Sequence, residues 1–248
     1  MPRYTYLPFY KRKDINNVSK YNDIAENELK EGIDIVETLL QGITVNREKI
    51  RDFNYEHETN DCSCDTSTRT EKRLCRCLAL YSKENENCQK CQLFNNEFFG
   101  KKIKNAKVID YEIPVTGDGK DGIGKIDLLF KYDEDGKIYF TEVKPQWNTE
   151  TILRMVAEII TYAELLKRHC SEVNSAAEEF RRKYNVPVTD CQKAILFMEN
   201  SKQQRFWTDE KYKYYVSDRL KKIIKEQNIA VFCLCMSGNN YYLKKYNI

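Results

Sequence analysis

Apolar and polar residues alternate along two short runs in the middle of the chain, GKIDLLFKY at 124–132 and KIYFTEVKP at 137–145. Because successive side chains of a strand point to opposite faces of a sheet, this alternation predicts two strands. The acidic Asp-Glu-Asp-Gly sequence between them is typical of a tight turn, so the strands are predicted to form a β-hairpin. Another strand is predicted before them, in KVIDYEIPV at 107–115, followed by the glycine-rich loop 116–124.

Apolar residues recur at helical spacing in three other parts of the chain. These are residues 19–41, residues 149–168 and the basic segment 209–227. Further strands are predicted at 191–199, 230–237 and 240–248. The predicted order is helix, three strands, helix, strand, helix and two strands. Such alternation predicts an α/β fold with a mixed central sheet flanked by helices.

Composition narrows the class of protein. The chain has 248 residues, of which 41% are hydrophobic and 32% charged, as in a folded protein and unlike a disordered one. A net charge of +3 excludes a basic nucleic-acid coat, so an anionic partner would have to meet a local basic patch. No apolar run reaches the ~20 residues of a membrane span, and the charged N-terminus lacks the apolar stretch of a signal peptide. We therefore expect a cytoplasmic or otherwise intracellular protein that does not bind membranes.

Six of the ten cysteines lie in one polar segment. They are Cys62, Cys64, Cys75, Cys77, Cys88 and Cys91. Disulfides are rare inside cells, and a polar segment cannot bury enough apolar area to fold by itself, so the cluster predicts a metal site. This divides the chain into an N-terminal helix of the core (1–46), a cysteine-rich insertion (47–104) and the remainder of the core with the hairpin (105–248).

Zinc is the metal that the cysteine pattern favours, because Cys88 and Cys91 have the two-residue spacing of zinc knuckles. One four-cysteine site would leave two thiols over. Two zinc ions with shared thiolates, and His57 as a seventh ligand, would use all six. An iron–sulfur cluster is one alternative, and free thiols or disulfides are the other. Basic side chains in the segment could contact nucleic acid or could equally be solvated surface charges. They are Arg69, Lys72, Arg73 and Arg76.

The predicted hairpin carries charges where a strand usually carries none. Glu142 and Lys144 are two residues apart on one strand and therefore share a face. A turn centred on Asp135-Gly136 would place Asp127 opposite Lys144, and a turn centred one residue earlier would place it opposite Glu142. Either register brings the three side chains together on one face, within roughly 5–8 Å.

Two carboxylates this close repel each other unless a cation neutralises them. Carboxylate and water ligands suit magnesium or manganese, and a neighbouring ammonium stabilises developing negative charge. Asp127, Glu142 and Lys144 are therefore the candidate catalytic residues for hydrolysis of a phosphodiester bond, with the two acids as metal ligands. The simpler alternative is a hairpin with an exposed, charged face.

The sequence Gly-Lys-Ile-Asp at 124–127, followed by Glu142-Val143-Lys144, resembles the D…(D/E)-x-K signature of the PD-(D/E)xK nuclease superfamily. It is similar above all to the RecB-like branch, which includes exonuclease domains of repair helicases and CRISPR-associated adaptation nucleases. The resemblance implies a restriction-endonuclease-like fold. It also implies metal ligation by Asp127, Glu142 and the Val143 carbonyl, with Lys144 as the catalytic lysine.

Other positions of that branch have counterparts in this chain. Its Gln-x-x-x-Tyr helix motif corresponds to Glu158 and Tyr162, with Glu in place of Gln, and Glu158 could instead pair with Arg154 within the helix. Glu112, on the strand before the hairpin, is a candidate for a further metal ligand. The branch often takes another ligand from its first helix, where this sequence offers several glutamates. They are Glu26, Glu28, Glu31 and Glu37.

Together these features predict a Mg²⁺- or Mn²⁺-dependent nuclease that acts on DNA in preference to RNA, in repair, restriction or defence against mobile elements. One alternative is a catalytically silent nucleic-acid-binding or assembly subunit on a nuclease fold. Another is a zinc-dependent interaction protein whose hairpin acids have no catalytic role. The sequence leaves open the strandedness of the substrate, endonuclease or exonuclease action, and any protein partner or homo-oligomer.

Overall fold

The computed structural model describes residues 71–82, 101–115, 125–172 and 174–248. These residues form an α/β structure in which a mixed sheet of six strands is flanked by helices. The strands are β1 (Ala106–Pro114), β2 (Lys125–Tyr132), β3 (Ile138–Lys144), β4 (Gln192–Met198), β5 (Ile229–Ser237) and β6 (Asn240–Tyr246). The helices are α1 (Glu71–Ser82), α2 (Ile152–Glu172), α3 (Asn174–Tyr184), α4 (Lys202–Thr208) and α5 (Asp218–Glu226), with 3-10 turns at Val188–Asp190 and Glu210–Tyr215.

The strands lie in the sheet in the same order as in the chain. The first three form an antiparallel meander, β4 and β5 run parallel to β3, and β6 returns antiparallel to β5. The carboxyl ends of β3, β4 and β5 therefore meet at one edge of the sheet, together with the start of β2. Open α/β sheets usually bind their ligands at the carboxyl ends of parallel strands, so this edge is the place to look for a site.

Two apolar clusters fill the two faces of the sheet. On one face, α2, α3 and α5 pack against the strands through residues such as Val156, Phe180 and Ile224. On the other face, α1 packs through residues such as Leu74 and Leu78 against a cluster of aromatic side chains. None of the helices among the described residues is long and apolar enough to cross a bilayer.

Helix α1 was not predicted, because residues 47–104 show no sustained apolar period. The same lack of a period predicts an insertion short of core-forming side chains. Within it, α1 buries five side chains in the second apolar cluster and makes the contacts of a core helix with β1 and β2. These buried side chains are Leu74, Cys75, Cys77, Leu78 and Ala79. Two of the predicted metal ligands thus lie in the apolar core beside the sheet.

The other elements follow the sequence predictions closely, except that two helices were missed and one predicted helix is interrupted. The six strands and α2 are confirmed within a few residues at each end. Helices α3 and α4 were missed, because one lies in a mainly polar segment and the other has only 7 residues. The basic helix predicted over 209–227 is interrupted, since Ser217 caps a new helix by accepting a hydrogen bond from the Leu220 amide. The predicted first helix, 19–41, and the loop 116–124 lie outside the described residues.

The segment just before β1 links the two outer strands of the sheet. Ile103 forms a parallel bridge with Tyr241 of β6, through hydrogen bonds of 2.8 and 2.9 Å on either side of it. The side-chain amide of Asn105 continues the pairing. Its nitrogen donates to the Leu243 carbonyl (2.8 Å), and its oxygen accepts from the Leu243 N–H (2.7 Å). The backbone carbonyl of Asn105 accepts a hydrogen bond from the backbone N–H of Asp133, in the turn between β2 and β3. The sheet therefore curls so that the residues leading into β1 lie beside β6.

Candidate metal and catalytic site

The hairpin adopts the second of the two predicted registers. Leu128 pairs with Thr141, so Asp127 lies opposite Glu142 where the two strands end. The Asp127 carboxylate accepts a hydrogen bond from the Val143 amide at 2.7 Å. A side-chain oxygen thus replaces the backbone carbonyl that a longer ladder would supply. This bond fixes Asp127 beside Glu142.

Glu142 and Lys144 lie on the same face of β3, as predicted, and their side chains are in contact. The Lys144 ammonium is 2.6 Å from the Glu142 carboxylate, and both residues are almost fully buried. The ammonium also contacts Glu150 (2.9 Å), just before α2, and Glu158 (3.3 Å), within it. The charged hairpin face is therefore covered by α2, and the alternative of an exposed, solvated face is wrong.

A further carboxylate, which joins those of Asp127 and Glu142, enters the site from α1. Glu71 is the first residue of that helix, and its carboxylate is 3.1 Å from the Lys144 ammonium. Glu71, Asp127 and Glu142 each offer a carboxylate oxygen, and these oxygens all lie within 4.8 Å of one another. Among the described residues, this is the one group of three or more potential ligand side chains so arranged. The glutamates proposed from the first predicted helix lie outside the described residues.

The cluster lies in an open cleft of about 340 Å³ with an excess of negative charge. Six acidic and three cationic side chains line it, a formal excess of three acidic groups. The carboxylates belong to Glu71, Glu112, Asp127, Glu142, Glu150 and Glu158, and the cations to Lys125, Lys144 and Arg154. Such an imbalance at a partly buried site attracts cations of high charge.

Burial and mutual repulsion perturb the pKa values of this cluster. Burial first, and then the Glu71 carboxylate, raises the pKa of Asp127 well above its usual range, against the opposing effect of Lys144. Burial and the Asp127 carboxylate do the same to the pKa of Glu142. Burial disfavours the charged form of Lys144, but the surrounding carboxylates, Glu142 foremost, outweigh it and raise the lysine pKa. An added cation would relieve the repulsion that these carboxylates share.

The donor set fits a hard divalent cation. Glu71, Asp127 and Glu142 provide carboxylate oxygens only, which suit Mg²⁺ and Mn²⁺ better than a soft, thiolate-seeking metal. The Val143 N–H is already committed to Asp127, while ligation by the Val143 carbonyl stays a prediction.

Glu158 and Tyr162 both line the cleft from α2. The predicted pair between Glu158 and Arg154 is present at 3.1 Å, and Glu158 contacts Lys144 as well. Burial would raise the pKa of Glu158, but Lys144, a hydrogen bond with Glu142, and Arg154 together lower it. Glu158 therefore stays ionised and anchors the lysine.

Glu112 lies across β1 and β2 from Asp127, as the pairs on either side of it show. Its backbone is left-handed (φ 48°), a conformation that costs a non-glycine residue on the order of 1 kcal/mol and is found often at functional sites. Its carboxylate pairs with Lys72 at 3.0 Å and lines the cleft. The described geometry places it beside the three-carboxylate group without making it a member.

Cys75 and Cys77 are reduced and fully enclosed in the apolar cluster under α1. Burial, reinforced by the nearby carboxylates, raises the pKa of Cys75 well above its usual range. Metal ligation by Cys75 and Cys77 stays a prediction. The remaining predicted cysteine-site ligands lie outside the described residues, and the zinc and iron–sulfur hypotheses stay predictions there. They are His57, Cys62, Cys64, Cys88 and Cys91.

Sequence reasoning missed two residues of the site, Glu71 and Glu150. Glu150 lies at the start of the predicted helix 149–168, and its position shortly after the predicted catalytic strand was an available signal. Glu71 had no such signal, because it is 73 positions from Lys144 in the chain.

No known protein family, curated protein or solved structure matches this chain.

Proposed function

We propose that this protein is a divalent-metal-dependent nuclease of the PD-(D/E)xK superfamily, RecB-like branch, which hydrolyses phosphodiester bonds of DNA. The observation that carries the proposal is the convergence of Glu71, Asp127 and Glu142 on a shared point, with the Lys144 ammonium in contact with two of them. Three acids that can hold a divalent cation, with one lysine beside them at the carboxyl edge of a mixed sheet, suit metal-assisted phosphodiester hydrolysis.

The order of the elements supports the same proposal. A helix precedes a three-stranded meander, the acids lie on the second and third strands, and a helix then leads to a strand parallel to the third. The family resemblance implies a further ligand from the first helix, predicted over 19–41, and we propose that Glu71, on the helix before the meander, supplies it instead. A restriction-endonuclease-like fold is accordingly part of the proposal.

In the proposed reaction, Glu71, Asp127 and Glu142 would hold Mg²⁺ or Mn²⁺. When bound, the ion would polarise the phosphoryl oxygen and lower the pKa of a bound water. The Lys144 ammonium would stabilise negative charge that develops on the phosphate. Glu150 and Glu158 hold that ammonium from the side of α2, and Asp127 is oriented by the Val143 amide.

The test is cleavage of circular DNA and of end-blocked linear DNA in the presence of Mn²⁺, compared with Lys144→Ala. We expect the variant to lose at least about 100-fold in rate, the usual effect of removing one group that stabilises transition-state charge. It should also lose about 3 kcal/mol in free energy of unfolding, because it leaves buried carboxylates without their counter-ion.

Lys193→Ala is the matched control. Lys193 is also buried on a strand, in β4, and also pairs with a glutamate, Glu164 at 2.9 Å, but it does not line the cleft. This variant should be destabilised and should still cut DNA. Full activity of Lys144→Ala would rule out the proposed role of the lysine. DNA binding without cleavage by the wild-type protein would favour the silent-subunit alternative, and cleavage of the circle would identify an endonuclease.

A further inference from the structure

A fully buried glutamine outside the cleft holds the loop that enters it. Gln203 lies at the start of α4 and has no exposed surface. Its side-chain amide nitrogen is 2.8 Å from the carbonyl oxygen of Glu150 and 3.2 Å from that of Asn148. The Asn148 side-chain oxygen is also within reach, at 3.3 Å. The amide of Gln203 thus ties α4 to the loop between β3 and α2.

Packing does not explain a glutamine at this position. Burying an amide costs free energy unless its hydrogen bonds are replaced, and an apolar side chain of similar size would avoid that cost. The nitrogen of Gln203 has three oxygen partners, whereas its side-chain oxygen has no hydrogen-bond partner among the described residues. The donor half of the amide is therefore the half that the structure uses.

The tethered loop contacts the candidate site at two points. Asn148 donates from its side chain to the Glu71 carboxylate at 3.5 Å, and its side-chain oxygen accepts from the Glu150 amide at 2.7 Å. The Glu150 carboxylate contacts the Lys144 ammonium at 2.9 Å. One buried amide is thereby connected to a candidate metal ligand on one side and to the candidate catalytic lysine on the other.

We infer that Gln203 is a positioning residue of this site, which fixes Asn148 and Glu150 so that Glu71 and Lys144 keep the arrangement needed to bind a divalent cation. The chemical meaning of the inference rests on the proposed function. Its structural content, a dependence of metal affinity on a remote amide, does not. Groups that orient metal ligands typically change metal affinity or activity by roughly 10–100-fold when removed.

Mn²⁺ binding to the full-length protein, measured by titration calorimetry and by the loss of the free-ion EPR signal, tests the inference. We expect Gln203→Met, which keeps the length of the side chain but removes the donor, to weaken binding about 10-fold. Gln204→Met is the matched control. Gln204 is the next residue of the same helix, and its amide contacts Asn200 and Cys233 instead. Thermal unfolding shows whether each variant remains folded.

A double variant separates positioning from general loosening of the fold. If Gln203 acts through Asn148, then Gln203→Met combined with Asn148→Ala should bind Mn²⁺ no more weakly than the weaker single variant. Wild-type affinity in folded Gln203→Met, or fully additive losses in the double variant, would overturn the inference. Mn²⁺ binding by a wild-type protein that does not cut DNA would overturn the proposed nuclease and leave Gln203 in its role. A wild-type protein that binds no Mn²⁺ would overturn both.

Discussion

Four glutamates surround the ammonium of Lys144, and they fall into two pairs. Glu71 and Glu142 belong to the three-carboxylate group that a cation would occupy, whereas Glu150 and Glu158 do not. If a cation takes the first pair, the lysine keeps the second. The lysine is therefore held in place in both states, and its charge remains next to the site.

Asp127 gives a direct test of cation binding at the residue scale. At 100 times its dissociation constant, Mn²⁺ should stabilise the wild-type protein by about 2.7 kcal/mol, which is roughly 5–10 °C in melting temperature for a chain of this size. Asp127→Asn should abolish most of that shift. The Asn oxygen can still accept from the Val143 amide, so metal-free stability should not fall.

Asp133→Asn is the control for that measurement, because Asp133 is an exposed aspartate in the turn of the same hairpin. It should show the full wild-type shift with Mn²⁺. An equal shift in Asp127→Asn would mean that Mn²⁺ binds elsewhere.

At the element scale, α1 connects the cysteine-rich segment to the site. Its first residue, Glu71, belongs to the site, and its buried side places Cys75 and Cys77 in the core. A helix that contributes to both core and site couples folding of this segment to the geometry of the carboxylates. We therefore expect the cysteines before and after α1 to bind zinc, and Cys75 and Cys77 to serve the core.

Metal analysis of cysteine variants tests this division. Cys75→Ala combined with Cys77→Ala should leave bound zinc unchanged, with a loss of stability of about 1–2 kcal/mol for the small core volumes removed. Cys88→Ala combined with Cys91→Ala should remove the zinc, because these residues have the knuckle spacing. Loss of zinc from the Cys75 and Cys77 variant would instead favour the two-zinc arrangement with all six thiols.

The hairpin was predictable, and its register was limited to two alternatives, because both follow from local rules. The alternation in 124–132 and 137–145 specifies the strands, and the even-length turn puts Asp127, Glu142 and Lys144 on one face. Glu71 and Gln203 were not predictable, because their roles depend on contacts with residues 53 to 77 positions away. A polar residue gives no periodic signal when its burial is decided by a distant loop.

At the scale of the whole molecule, the curled sheet brings β6 to the turn of the β2–β3 hairpin. Lys245 of β6 contacts the Asp135 carboxylate at 2.7 Å and the Tyr139 hydroxyl at 3.0 Å, and it lies over the rings of Tyr132 and Phe232. This contact closes the end of the sheet opposite to the proposed site. The site edge and the closed end are therefore separate parts of one sheet.

The Asp135–Lys245 pair predicts a defined pH dependence of stability. Partial burial would raise the pKa of Asp135, but hydrogen bonds from Lys245, Tyr139 and the Lys137 amide outweigh it and lower the pKa. A carboxylate with a lowered folded-state pKa stabilises the fold above its unfolded pKa of about 3.9, and this contribution is lost as pH falls through the folded-state value.

Asp135→Asn should therefore reduce the free energy of unfolding at pH 7 by about 0.5–1 kcal/mol, as for a partly exposed pair. The difference from wild type should shrink towards zero as the pH is lowered through the folded-state pKa of Asp135. Urea unfolding at several pH values measures both. A difference that does not change with pH would show that the pair contributes through packing and not through charge.

The bridge between Ile103 and Tyr241 also determines when this chain can finish folding. The two residues are 138 positions apart, and Asn105 joins Leu243 over the same distance. Contacts between such distant residues carry a large loop-closure entropy and slow the folding of a domain. During synthesis, the segment before β1 cannot make these contacts until β6 has left the ribosome. The residues that lead into the strand of Asp110 and Glu112 therefore acquire these neighbours only after five further strands have been made.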